Sequence, residues 1–267
     1  MYTEDIKEDN LWLMKGDCLE RMKDIPDRSV DMVLCDLPYG TTACKWDVVI
    51  PLEPMWNELK RVIKPNGAIV LFGAEPFSSF LRMSNIKNYK YDWIWEKERG
   101  TGFGNAKKQP LRCFEMISVF YSKQCNYYPV MTKLDKPYTH VLPKYDSEQI
   151  KGGFRSFNNN TRVLKQYTHS YPKNIIKISR GNIRNFIHPT QKPVALMEYL
   201  IKTYTNENET VLDFAMGSFT TAIACLNTKR SFIGIELDEH YFKVGKERLE
   251  KHLSILDYTL EIVCNQA

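Results

Sequence analysis

No stretch of the 267 residues approaches the roughly 18 consecutive apolar residues that a membrane helix needs, which argues against a membrane-spanning role. The segment from Met1 to Asn10 is acidic and polar and lacks the apolar centre of a secretory leader, so a cytoplasmic location is expected. Cysteine pairs are also missing. The seven cysteines (Cys18, Cys35, Cys44, Cys113, Cys125, Cys225, Cys264) are scattered, with no Cys-x-x-Cys spacing. That speaks against both a zinc site and a disulfide framework, and no metal is expected. Cys35 and Cys225 sit in apolar runs and read as small core residues. His169 and His188 lack partners at metal-ligand spacing. Finally, there is no Gly-x-Gly-x-x-Gly, the loop whose bare backbone lets amides approach a pyrophosphate. A dinucleotide cofactor is therefore disfavoured.

What is present is an ordinary globular composition, 43% apolar and 26% charged, with charge unevenly spread. Lys97 to Arg184 holds 17 Lys/Arg against 5 Asp/Glu, leaving 20 against 27 elsewhere. A basic middle third between acidic flanks suits a polyanion-binding surface or a solvated basic face, and composition alone leaves both open. Short apolar runs at Asn10–Met14, Val30–Asp36, Ala68–Phe72, Tyr91–Trp95, Thr210–Asp213 and Ser231–Glu236 read as strands. Helical spacing is found at Leu19–Ile25, after Pro51, at Glu75–Met83, Val194–Thr203, Thr220–Leu226 and Tyr241–Lys251. This alternation predicts an α/β fold with a parallel sheet. Glu115–Tyr121 could add a strand, whereas Ser122–Asn185 has little sustained period and reads as irregular structure inserted in the domain.

The run Val30–Cys35 ends in Asp36-Leu37-Pro38-Tyr39-Gly40. Proline cannot continue a central strand, so an acid and an aromatic are left where a strand ends, which is where open α/β sheets bind ligands. The same residues also make an ordinary turn. A second unit begins with Thr210-Val211-Leu212-Asp213. It passes through the small-residue loop Phe214-Ala215-Met216-Gly217-Ser218 to a helix and a strand ending in Glu236, 23 residues after Asp213. A carboxylate at that spacing reaches ribose hydroxyls in nucleoside-binding units. With so little glycine, a nucleoside without a diphosphate fits better.

Val211-Leu212-Asp213-Phe214-Ala215-Met216-Gly217-Ser218-Phe219-Thr220-Thr221 resembles the cofactor motif of amino-group DNA methyltransferases. Asp36-Leu37-Pro38-Tyr39 is similar to their catalytic Asp-Pro-Pro-Tyr, and Gly16-Asp17 and His188-Pro189-Thr190-Gln191-Lys192-Pro193 resemble further family motifs. Catalytic motif, variable region, then cofactor motif is the order of the β group. The resemblance implies a Rossmann-like methyltransferase fold, circularly permuted, with a mostly parallel central sheet and an inserted target-recognition region. Its parts would be a catalytic half (1–121), a basic insertion (122–185) and a cofactor-binding half (186–267).

It further implies S-adenosyl-L-methionine as cofactor, with Asp17 and neighbouring Cys18 at the adenine and Glu236 with Leu237 at the ribose. Asp213, Phe214, Ala215, Gly217, Ser218 and Thr220 would hold the methionine end, Thr190 and Lys192 the carboxylate, and Asp36 would sit between cofactor and target. Asp36 and the Leu37 or Pro38 carbonyl would accept the two N–H bonds of the target amine, and Tyr39 would stack on a base extruded from duplex DNA. Trp46 would flank that base or belong to the core. Lys107, Lys108, Arg112, Arg155, Arg162, Lys165, Arg180 and Arg184 are candidate phosphate contacts. Asn158-Asn159-Asn160 could reach base edges or be a loop tip. A homodimer and a cognate restriction endonuclease are partners the resemblance allows.

Two residues depart from the family pattern. Leu37 replaces a proline but keeps the backbone carbonyl, and Phe219 replaces a glycine, which could reshape the cofactor pocket. Asp at position 36 favours adenine N6. The alternatives are cytosine N4, an inactive DNA-binding protein of the same fold, and, more weakly, RNA or protein glutamine. Carbon-5 methylation is set aside because the chain has no Pro-Cys.

Overall fold

The computed structural model describes residues 5–8, 10–40, 47–143, 162–181 and 191–265. The chain divides into Met1–Tyr128 with Asn174–Ala267, and a smaller unit, Pro129–Lys173. The larger unit begins with β1 (Ile6–Glu8), β2 (Leu11–Lys15), α1 (Cys18–Arg21), β3 (Val30–Asp36), α2 (Leu52–Val62) and β4 (Ile63–Gly73). Next come α3 (Phe77–Ser84), β5 (Tyr89–Thr101) and β6 (Arg112–Phe120). The smaller unit holds β7 (Thr132–Pro143) and β8 (Arg162–Ser170). The chain then returns through β9 (Ile175–Lys177), α4 (Val194–Tyr204), β10 (Thr210–Asp213), α5 (Thr220–Asn227), β11 (Ser231–Glu236) and α6 (Glu239–Asn265).

β3 is buried through its first six residues, as a run apolar on both sides of the pleat requires. Alternate side chains serve opposite layers. Met32 and Leu34 join a core with Leu196, Leu200 and Ile223 from α4 and α5. Val33 and Cys35 join a second core with Met55 and Leu59 of α2 and Phe77 and Leu81 of α3. The sheet order is β1-β2-β11-β10-β3-β4-β6-β5-β9. β2, β11, β10, β3 and β4 are mutually parallel neighbours. β10 thus lies beside β3, far from it in the chain, which gives the permuted, mostly parallel fold expected.

The parallel arrangement gives way near both edges: β1 is antiparallel to β2, and the other side carries an antiparallel hairpin. β6 is antiparallel to both β4 and β5, so β5 and β6 form a long hairpin rather than a crossover unit. The stretch read as irregular also contains strands. β7 pairs antiparallel with β8, and β9 adds to the main sheet beside β5. β7 was hidden because Pro137 and its neighbours interrupt the alternation, and the ladder shifts register between Lys133 and Tyr138. Cross-strand partners Tyr138 and Tyr167 stack with centroids 5.3 Å apart. α1 is shorter than its spacing suggested and tightens into a 3-10 turn at Met22–Asp24.

β5 is tied to α4 by a buried polar knot. The Trp93 indole N–H donates to the Tyr204 hydroxyl at 2.6 Å, and the Tyr91 hydroxyl lies 2.9 Å from the same oxygen. Tyr204→Phe should lower stability by about 1–3 kcal/mol, because the buried indole loses its acceptor. Urea melts would measure this, and an unchanged midpoint would refute it.

Candidate active site

Four neighbouring strands, β2, β11, β10 and β3, end together at the carboxyl edge of the sheet. Their last residues and the following loops carry Asp17, Glu236, Asp213 and Asp36, so the sheet order turns a scattered chain order into one row of acids. These loops line a cavity of about 870 Å³, within the size range of small-molecule sites.

At one end stands Asp36. Its Oδ1 accepts a 2.6 Å hydrogen bond from the Tyr39 hydroxyl, and its Oδ2 meets the Lys192 ammonium. Lys192 also lies 3.2 Å from Glu115, which is paired at 3.0 Å with Lys97. Burial raises the Asp36 carboxyl, with the Lys192 ammonium opposing. Burial alone would also raise Glu115, but Lys192 and Lys97 together pull it down to about 2. Lys192 itself is raised, because its two carboxylates outweigh its burial. Lys192 is therefore no solvated surface charge. Tyr39 is half-buried, not exposed, with its ring against Phe77 at 5.3 Å. The Asp47 carboxylate clamps the loop by accepting from the amides of Tyr39 at 2.8 Å and Gly40 at 2.9 Å. Leu37 is buried with the α2/α3 core.

At the other end, Asp213 is 2% exposed. It accepts from Thr221 Oγ1 at 2.5 Å and from the Ala215 amide at 3.2 Å. Burial nonetheless pushes its carboxyl up to about 7. Glu236 accepts from the amides of Gly217 and Asp238, each at 2.8 Å, so it fixes the loop after β10. Asp17 caps α1, accepting from Leu19 N at 2.8 Å. The Arg248 guanidinium donates to Ser218 O at 2.6 Å and to Thr220 Oγ1 at 2.9 Å.

Phe219 does not enter the cavity. It is fully buried, at a left-handed φ of 60°, with its ring 5.7 Å from that of Phe242 on α6. A methyl group at Gly245 would lie 2.7 Å from its Cε1. The loss of glycine thus leaves the pocket shape alone. Its cost is backbone strain of about 1–2 kcal/mol, offset by burial of the ring.

The cavity gathers Cys18, Leu37, Pro38, Phe214, Ala215 and Leu237 around Asp17, Asp36, Tyr39, Lys192, Asp213 and Glu236, with Arg180 also on its wall. Trp46, Arg155, Asn158–Asn160, Arg184 and Thr190 lie outside the described residues, and of Arg162 only the strand backbone is described. Lys107, Lys108 and Arg112 are exposed around the β5–β6 turn, away from the cavity lining. Lys165 lies in the smaller unit with its ammonium 5.2 Å from the Tyr167 ring. Sequence reasoning missed Glu115, Lys97, Asp47 and Arg248. The only hint of Glu115 was an acid heading an apolar strand in a basic stretch. Among the described residues no cluster of His, Cys, Asp and Glu could hold a metal ion, and no helix is long and apolar enough to cross a membrane.

A family model, N6_N4_Mtase, described as DNA methylase, matches residues 30–247. The chain is 30% identical over 261 residues to the DNA adenine methyltransferase YhdJ of Escherichia coli strain K12, covering 89% of this chain and 82% of that one. Among solved structures, the M1.HpyAVI–SAM complex aligns with a TM-score of 0.59 and 26% identity, covering 89% of this chain and 99% of that one. The cytosine-N4-specific PvuII DNA methyltransferase aligns with a TM-score of 0.63, over 96% of this chain and 94% of that one. At 17% identity, that last likeness is one of fold.

Asp213 yields a pH prediction. Its carboxyl sits near 7 in the fold against 3.8 as a free side chain. Below pH 4 it is protonated in both states, and above pH 7 a buried anion must be kept, so its effect turns unfavourable as pH rises through that window. Asp213→Asn should therefore gain on the wild type from pH 4 to 7, by an amount on the order of 4 kcal/mol, and level off above. Urea denaturation across pH tests this, and a pH-independent difference would refute it.

Proposed function

The chain belongs to the N6/N4 DNA methylase family, and we propose that its reaction is methylation of adenine N6 in duplex DNA, on a base turned out of the helix. S-adenosyl-L-methionine is the cofactor. The cavity fits it. A buried carboxylate, Asp213, suits an ammonium, the bend at Gly217 is open, with nothing within 4 Å of an added Cβ, and Glu236 stands where ribose hydroxyls would approach. When bound, the cofactor supplies a methyl group already activated on a sulfonium, so no covalent enzyme intermediate is needed. Asp17 and Cys18 would meet its adenine, the loop from Phe214 to Thr220 its methionine end, and Leu237 would cover the ribose.

The observation that carries this reading is the placement of Asp36 and Tyr39 in the same cavity as the β10 loop. An exocyclic amine is a weak nucleophile because its lone pair is delocalised into the ring. Asp36 would accept one N–H, and the backbone carbonyl of Leu37 or Pro38 the other, aiming the lone pair in line. Each carboxylate oxygen keeps a second lone pair beyond those used by Tyr39 and Lys192. Raised by its burial, Asp36 can hold the proton that the amine gives up. Tyr39, fixed by its hydroxyl and by Phe77, would stack on the base. Adenine is favoured by the acid at position 36 and by the name of the 30% identical relative. The unit Pro129–Lys173, with Lys165 and the stacked Tyr138 and Tyr167, is proposed to contribute to target recognition.

Tritiated-methyl transfer to unmethylated duplex DNA should proceed with the wild type and fall at least about 1000-fold with Asp36→Ala. Long-read sequencing of DNA from expressing cells should show modified adenine. Modified cytosine would overturn the adenine assignment, and DNA binding without transfer by either protein would overturn the enzyme. Asp47 gives a finer test. Asp47→Asn keeps an oxygen for the amides of Tyr39 and Gly40 and should hold kcat within about 5-fold, whereas Asp47→Ala should lower kcat by about 10- to 100-fold. Equal losses in both would show that the clamp does not position the loop.

A further inference from the structure

We propose that Phe103 is a wedge that enters the duplex beside the target and fills the gap left by the extruded base. The inference rests on the reading of the chain as a base-flipping methylase. The β5–β6 hairpin leads to Phe103 directly from the cavity. In the sheet register Asp36 lies level with Phe72, Phe72 with Ile117, and Ile117 with Trp93. β5 runs in the same direction as β3 and continues from Trp93 to Thr101. At about 3.3 Å per residue, the hairpin projects well past the carboxyl edge where Asp36 sits. Lys97 and Thr101 still line the cavity, and Phe103 follows two residues later at the turn.

Three features of this tip suit insertion into a base stack. Phe103 is 71% exposed, an aromatic held in water at a turn. Its neighbours Gly102 and Gly104 have nothing within 4 Å of an added Cβ, and Gly102 turns the chain at a φ of 92°. The tip is thus a ring flanked by bare backbone, thin enough to reach between base pairs. From residue 99 to residue 114 the chain holds Arg99, Lys107, Lys108 and Arg112 and no acid, and all four are exposed. Cations around an exposed ring match phosphates around a base step. Extruding a base forfeits its stacking, and an aromatic ring in the vacated place recovers part of that loss.

The test uses the full chain and a duplex carrying the site mapped in cellular DNA, with adenine at the target position for transfer kinetics. A second copy has 2-aminopurine there, which lacks the C6 amine and serves only to report extrusion. A companion duplex leaves the target base unpaired, opposite an abasic position. Phe103→Ala should lose most of the fluorescence rise on the paired duplex. Its kcat/KM there should fall about 10- to 100-fold, while on the unpaired target it should return to within about 3-fold of the wild type. Phe103→Trp should keep both signals. Phe103→Ala behaving as wild type on paired DNA, or losing equally on both duplexes, would overturn the wedge while wild-type transfer upholds the methylase. A wild type that labels neither duplex overturns both.

Discussion

Two rungs of parallel pairing, Val211 to Met32 and Leu212 to Val33, join segments that the chain keeps far apart. Everything at the carboxyl edge depends on them. They set the end of β10 beside the end of β3, so that Asp213 and Asp36 face one cavity rather than two. Both strands are buried on both sides, and their apolar side chains are claimed by one helix layer or the other. A slip of one residue would turn every one of those side chains to the wrong layer. The register of the acids is therefore enforced by apolar packing, not by the acids themselves.

Within that frame the two ends of the cavity handle buried charge differently. The Asp36 end balances it. Asp36, Lys192, Glu115 and Lys97 form an alternating row in which each carboxylate meets an ammonium. Removing one member would leave a neighbour buried and unpaired, which costs far more than the row gains as a whole. The Asp213 end leaves it unbalanced. Its carboxylate has the Thr221 hydroxyl, the Ala215 amide and the Cys35 thiol as partners but no cation among the described residues, and burial wins. Such a group is suited to a cationic ligand, whose arrival would supply the missing charge.

The parallel core was legible because its strands are short apolar runs and its helices carry apolar stripes, as with Met55, Leu59 and Val62 on α2. The acids that end strands were legible for the same reason, since each follows its run directly. Legibility ended where a feature exists only through register. Glu115 and Lys97 approach because β6 pairs with β5, with Trp95 opposite Glu115, and nothing in either segment alone announces it. β7 was obscured by its own proline. Asp47 has no motif around it in the sequence, and only its two backbone partners make it a clamp. The direction of Phe219 is equally invisible in the sequence, since a residue type alone does not say that the ring turns to α6 rather than to the cavity.

That ring and the missing side chain at Gly245 form one fitted joint between the loop after β10 and the last helix. A helix glycine normally weakens its helix by about 1 kcal/mol relative to alanine, yet here it is the socket for a phenyl ring. The two positions consequently behave as a single character. Glycine at 219 would relieve the backbone but empty the socket, and a larger residue at 245 would close the socket against the ring. Only a paired change keeps both the loop's course and the helix's seat. A sequence survey that weighed either position alone would mistake a coupled solution for a defect in the cofactor motif.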